Sequence, residues 1–377
     1  MMLAQITRIV AVCLCLTMAP HAFAQKKKRP DPVKILQTWK TDLTKSEIDL
    51  GELLAGGPGK DGIPPIDDPV FVTVSDAAAW LDAKDPVIAL KVGDDARAYP
   101  LQILMWHEIV NDTVGGTPVS VTFCPLCNAT AVFDRRFEGA VLDFGVSGFL
   151  RKSDLVMYDR QTESLWQQFT GEGLVGTHAG KFLDVVPSQL IGFAQFRKAH
   201  PQGKVLSRET GHDRAYGQNP YVDYDETDRK PFLFKDALDE RLPPMERVIT
   251  VKIGKKAKAY PYSRTRQKRV IHDKIAKRKI VVFHAEGAAS ALDKKEIAAS
   301  EDIGATGVFD PEVDGKVLKF SYRDGLFVDA QTKSEWDITG TAIAGPMKGK
   351  SLKPIAHGND FAFAWLAFMM DTKIYGD

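Results

Sequence analysis

Two stretches of this chain follow the same plan, and no other feature limits the fold as strongly. "PVIALKVGDDARAYP" (Pro86 to Pro100) is answered by "RVITVKIGKKAKAYP" (Arg247 to Pro261). Each reads as an alternating strand, a Gly-containing turn and a short second strand ending in Ala-Tyr-Pro. The correspondence continues in order. "LQILMWHEIVND" meets "YSRTRQKRVIHD", "VSVTFCPLCNATAVFD" meets "IVVFHAEGAASALD", and "DRQTESLWQQFTGEGLVG" meets "DAQTKSEWDITGTAIAG". The last pair is "FLDVVPSQLIGFAQFRKAHPQGKVL" and "SLKPIAHGNDFAFAWLAFMMDTKIY". A period of about 160 residues makes these two domain-sized copies, not a solenoid. The expected organisation is a leader at 1–24, a lead-in at 25–64, a first copy at 65–206, a linker at 207–240 and a second copy at 241–377.

Within the first copy, strands are expected at Val87–Val92, Ala96–Tyr99, Val119–Phe123, Ala129–Phe133, Val141–Val146 and Leu155–Asp159, with another near Leu165–Phe169. Helices are expected at Pro100–Val110 and Pro187–Ala199, each opened by a proline whose missing N–H costs nothing there. Many short strands and few helices predict a strand-rich α+β class. The expected unit is mainly antiparallel or barrel-like, in two tandem copies with short helices. The segment Ser207 to Phe232 is polar, yet its three tyrosines predict packing against something.

The first 24 residues read as a secretory leader: Arg8, an apolar run from Ile9 to about Met18, and "AFA" before a cut near Ala24. The run is too short to span a bilayer as a mature helix. A periplasmic or secreted chain with no transmembrane segment is expected. The basic stretch "QKKKRPDPVK" that follows reads as a solvated tether. Of 50 Lys and Arg against 49 Asp and Glu, the leader takes one Arg and no acid. The mature chain balances, which argues against nucleic acid as a general partner.

Cleavage also removes Cys13 and Cys15, leaving Cys124 and Cys127 as the only thiols. A disulfide closing so short a loop removes little entropy from the unfolded chain, so the pair points to chemistry more than to stapling. "NATAVFD" after the pair alternates like a strand. That places Cys-x-x-Cys on a tight turn between strands, unlike the helix start of thioredoxin-type sites. His107 and Asn111, and with them Glu108, are expected on neighbouring positions of one short helix.

Two chemistries fit. In the first, His107 or turn amides activate one thiol, with Cys124 favoured as the attacker on a disulfide or peroxide. The other thiol then resolves the intermediate, and an electron-donating partner is required. In the second, Cys124, Cys127 and His107 hold copper or zinc, with His178 as a further candidate ligand. A non-catalytic ligand-binding protein of the envelope is a third reading.

The internal comparison sharpens the choice of residues. Cys124 aligns with His284, Cys127 with Gly287, His107 with Lys268 and Asn111 with His272. Tyr99-Pro100, Asp112, Gln161–Thr162 and Trp166 keep matching types at Tyr260-Pro261, Asp273, Gln331–Thr332 and Trp336. Shared positions read as scaffold. Cys124, Cys127, His107 and Glu108 read as chemistry, with Asn111 and Asp112 supporting them. Trp166 and Trp336 are expected to fill cores or line a groove. Asp159, Arg160 and Glu163 are expected to form a turn with surface ion pairs. No phosphate-cradling Gly loop, Gly-x-Ser-x-Gly elbow or His-Glu-x-x-His helix is present.

The Tyr-Pro, "WHEIVND" and "CPLC" segments, with "YDRQTESLWQQFTGEG" farther on, closely resemble the bacterial family called domain of unknown function 3179. The likeness runs from about Pro69 to the C-terminus. Some members of that family are described as selenoproteins, with selenocysteine in the Cys-x-x-Cys region. The resemblance therefore implies redox chemistry at Cys124 or Cys127. The second copy departs from the motif.

Overall fold

A computed structural model describes residues 29–377. The expected leader, with its cut near Ala24, lies outside the described residues. Among them, no helix is long and apolar enough to cross a membrane.

The described residues are rich in short strands, with helices of seven residues or fewer. Pro86–Val92 pairs antiparallel with Asp95–Pro100, in the register Val87 to Pro100. Gln189–Gly192 adds to one side, and Lys204–Leu206 joins the other side in parallel. The helix Leu101–His107 then leads into a three-stranded antiparallel sheet of Ile109–Val114, Thr117–Cys124 and Ala129–Asp134. A five-stranded sheet follows, built on the hairpin Phe144–Arg151 and Asp154–Asp159.

Residues 247–374 pass through strands and helices in the same order. Arg247–Ile253 and Lys256–Pro261 pair, the helix Tyr262–Lys268 follows, and Val270–Ile275, Arg278–Ala285 and Ala305–Asp310 form the next sheet. The sheets are open and hold two to five strands, so the expected barrel is not what forms. Frequent turns and the intervening helices divide the strands among several small sheets before any one of them can close.

Three local expectations need correction. The helix expected to run to Val110 stops at His107, because Glu108 takes a positive φ of 58° and the chain turns into a strand. Gln189–Gly192 is a strand, and the helix begins only at Phe193. The lead-in is docked: Leu53–Ala55 pairs with Phe149–Arg151, Leu36 is fully buried, and Thr41 donates to the Glu163 carbonyl at 2.7 Å. Burying these apolar residues outweighs the freedom of a loose tether.

Register also revises the comparison of the halves. Ile109 faces Thr122, and Val270 faces Phe283. The amide of Phe123 donates to the Glu108 carbonyl, and that of His284 to the Arg269 carbonyl. His284 therefore stands in the position of Phe123, and Ala285 in that of Cys124, one residue away from the alignment read from the sequence. A slip of one residue in a strand exchanges its faces. The next strand is also displaced: "ATAVFD" (Ala129–Asp134) is matched in pairing by "ATGVFD" (Ala305–Asp310), not by "AASALD". The four-residue turn holding Cys127 is thus answered by the long excursion 286–304, and Cys127 has no partner position.

Repeated hydrogen bonds stabilise the scaffold. Trp166 and Trp336 are fully buried, and their indole N–H groups donate to Asp159 at 2.9 Å and Asp329 at 3.0 Å. Thr162 and Thr332 cap the same carboxylates. Arg160 forms the expected surface ion pair with Asp67 at 2.7 Å, whereas Glu163 pairs with Lys60 at 2.7 Å from a buried position and Asp159 is fully buried, so the surface reading fails for these two. Asp159→Ala leaves the buried Trp166 N–H without an acceptor and should cost about 2–4 kcal/mol. Arg160→Ala, which loses only a half-exposed pair, should cost less than about 1 kcal/mol. Urea unfolding of both variants measures the difference.

Candidate functional site

The strand Thr117–Cys124 delivers Cys124 at its end. Pro125 starts a single 3₁₀ turn with its fixed φ, and Asn128 closes it in the left-handed conformation that Asn tolerates. Cys124 then faces Ala129 across the hairpin. The expected tight turn between strands forms, and both thiols are free. They are also deeply buried, at 1% and 0% exposure. Burial pushes the Cys124 thiol up and the Cys127 thiol well above its ordinary value.

The third group beside the thiols is Asp154, not His107. Cys124, Cys127 and Asp154 each offer a ligand atom within 4.8 Å of the other two. Asp154 opens the strand Asp154–Asp159, every residue of which is buried. Its Oδ2 accepts from Gln167 Nε2 at 2.6 Å and from the Phe169 amide at 3.0 Å. Its Oδ1 is buried and has no hydrogen-bond partner. Burial raises this carboxyl to about 7, opposed first by those two hydrogen bonds and then by the adjacent thiols of Cys124 and Cys127.

The remaining expected residues are placed elsewhere. His107 Nδ1 lies 2.7 Å from the Pro64 carbonyl, which can only accept, so Nδ1 carries the proton. Its Nε2 accepts from the Tyr216 hydroxyl at 2.6 Å. Burial lowers His107 to about 4, so the ring is neutral and both its nitrogens are already engaged away from the thiols. Asn111 ties Asp67 and the Phe144 backbone together. Asp112 accepts from Arg97 at 2.7 Å and Tyr99 at 2.5 Å, as Asp273 accepts from Lys258 and Tyr260. Both are scaffold. His178 packs against Trp166 and Phe137. The helix expected to bring His107, Glu108 and Asn111 together ends too early to do so.

Glu108 does belong to the neighbourhood. Burial raises it to about 8, with the Asp154 charge adding to the shift. Its positive φ is not a mark of function, because Arg269 has φ 62° at the same point of the other half. From the other half of the chain, Asp360 is 4% exposed and raised to about 8, by burial first, and Asp154 also acts on it. Tyr224 covers the turn, donating to the Leu126 carbonyl at 3.1 Å, so the tyrosines of Ser207–Phe232 pack as expected. Asp154 and Asp360 were missed in the sequence. An acid heading the uninterrupted apolar strand "DLVMYD" was the available signal for the first.

These acids dictate a pH dependence. In the native, metal-free chain Glu108 and Asp360 hold protons up to about pH 8, while in the unfolded chain they release them near pH 4. Proton uptake by the native state makes stability fall as pH rises between these values. With chelator present, urea stability should drop by a few kcal/mol between about pH 5 and pH 8. Asp360→Asn or Glu108→Gln should flatten that slope.

No curated protein and no solved structure matches the chain. The profile described as "Protein of unknown function (DUF3179)" matches residues 60–372. By that match across nearly its whole length, the chain belongs to the DUF3179 family.

Proposed function

We propose that Cys124, Cys127 and Asp154 hold one transition-metal ion, with zinc the best fit. One observation carries this reading. The unpartnered Oδ1 of a buried aspartate lies beside two buried thiols, with donor atoms of all three within 4.8 Å. A cation there compensates acids that otherwise must stay protonated. Two thiolates with a carboxylate suit borderline zinc better than copper(I), which favours soft ligands throughout. Three protein ligands leave one coordination position open. His107, the ligand expected from the sequence, is replaced by Asp154.

A second reading, thiol redox chemistry, is supported by the proximity of two free sulfurs and by a carboxylate oxygen able to take a thiol proton. Oxidation of the pair to a disulfide passes two electrons and two protons to a disulfide or peroxide acceptor. The near-complete burial of both sulfurs weighs against it, since attack requires access.

Native mass spectrometry of the mature chain, purified without chelator or reductant, separates the two. The metal reading expects one zinc per chain, lost in Cys127→Ser and Asp154→Asn and kept in His107→Ala. A metal-free chain two hydrogens light, restored by mild reductant, would replace it with the redox reading.

We also read the halves as a tandem duplication, supported by the common element order and the "ATAVFD"/"ATGVFD" match. Export is supported by the leader sequence alone, and N-terminal sequencing of the mature chain would test the cut near Ala24.

A further inference from the structure

A cleft of about 250 Å³ lies along the strand that follows the Cys turn. One wall is the strand Ala129–Asp134, which follows the Cys turn directly. Ala356, His357, Gly358 and Asp360, from the other half of the chain, also line it. Trp365 and Met369 supply apolar surface. Gln168 lines the cleft and precedes Phe169, whose amide holds Asp154.

One buried polar acceptor of this cleft lacks a donor. Gln168 is fully buried, and its Nε2 donates to Thr122 Oγ1 at 2.8 Å and to the Ala129 carbonyl at 3.3 Å. A carbonyl can only accept, which fixes the amide orientation and leaves Oε1 as the free acceptor. That oxygen is buried and unpartnered. Asp360, also nearly buried, accepts from Thr250 Oγ1 at 2.5 Å. No basic group is among the neighbours that shift its titration. The backbone comes close around this carboxylate. A Cβ on Gly358 would collide with Asp360 Oδ2 and with Thr250 Oγ1. Lys252, two residues beyond Thr250 on the same strand face, also lines the cleft and is exposed.

A ligand that satisfies this arrangement brings N–H donors and a positive charge inward and presents apolar surface to Trp365 and Met369. A carboxylate-headed ligand would gain no counter-charge from Asp360 and would leave Gln168 Oε1 unpaired, which is costly in a buried site. We propose that this cleft is a binding site for a small organic cation, an amine or amidine on a compact apolar body, with Asp360 and Gln168 receiving its head. The inference stands on the cleft itself and does not require a metal at Cys124, Cys127 and Asp154.

Isothermal titration calorimetry of the full mature chain tests it, with benzamidine as the probe and benzyl alcohol and benzoate as shape-matched controls. Benzamidine should bind at least about tenfold more tightly than either control. Asp360→Asn, which keeps an oxygen for Thr250, should weaken benzamidine by about tenfold or more, and Gln168→Leu should also weaken it. Should either variant fold poorly, hydrogen exchange on the unmodified chain provides the decision. Benzamidine should then protect amides of 129–133 and 358–361. Equal binding of benzoate, no binding of benzamidine, or no protection of these strands would each overturn the proposal. Repeating the titration after chelator treatment separates the two readings, since loss of zinc should leave the benzamidine affinity within about twofold.

Discussion

The carboxylate of Asp154 has one oxygen bonded to Gln167 and Phe169 and the other unpaired beside two thiols. Much of the structure is arranged around this unbalanced group. Gln167 and Phe169 come from the strand and turn next in sequence, the Cys turn from the sheet before it, and Asp360 from the other half. Each of these acids is short of a counter-charge, and burial raises all of them. A buried anion without a partner is costly, so the cluster must keep its protons, bind a cation or exchange one state for the other. The metal reading and the redox reading are two ways of meeting that one requirement.

The scaffold around this cluster uses bonds that recur in the two halves. Tyr99 and Tyr260 donate to Asp112 and Asp273, and Trp166 and Trp336 donate to Asp159 and Asp329. Against that common frame the differences are local. One half makes a four-residue turn carrying Cys127; the other inserts 286–304 between the equivalent strands. The Cys cluster is therefore built by one half, and the cleft along the strand after the Cys turn is completed by the other. On the duplication reading, the second half has become a wall and not a second site.

Strand positions and the tight Cys turn were legible because alternation, turn residues and the repeated Ala-Tyr-Pro all pointed the same way. The end of the helix at His107 was not. The sequence there continues with apolar residues, and only the positive φ at Glu108 turns the chain into a strand. That error carried into the site, because it placed His107 and Asn111 on one helix face with the thiols nearby. The slip in aligning Cys124 with His284 had a similar origin: without strand pairing, one residue of offset leaves the apolar pattern looking intact while exchanging the faces.

The sequence by itself determined the strand-rich class, the family and the position of Cys124 and Cys127 on a turn. These rest on local patterns of a few residues each. Tertiary structure decided which side chains meet the thiols. Asp154 lies 27 residues beyond Cys127, and Asp360 comes from the far end of the chain. Their proximity comes from sheet packing and the docking of two halves. So does the burial that raises their proton affinity. Long-range burial and desolvation are properties of the assembled fold, and no local pattern encodes them.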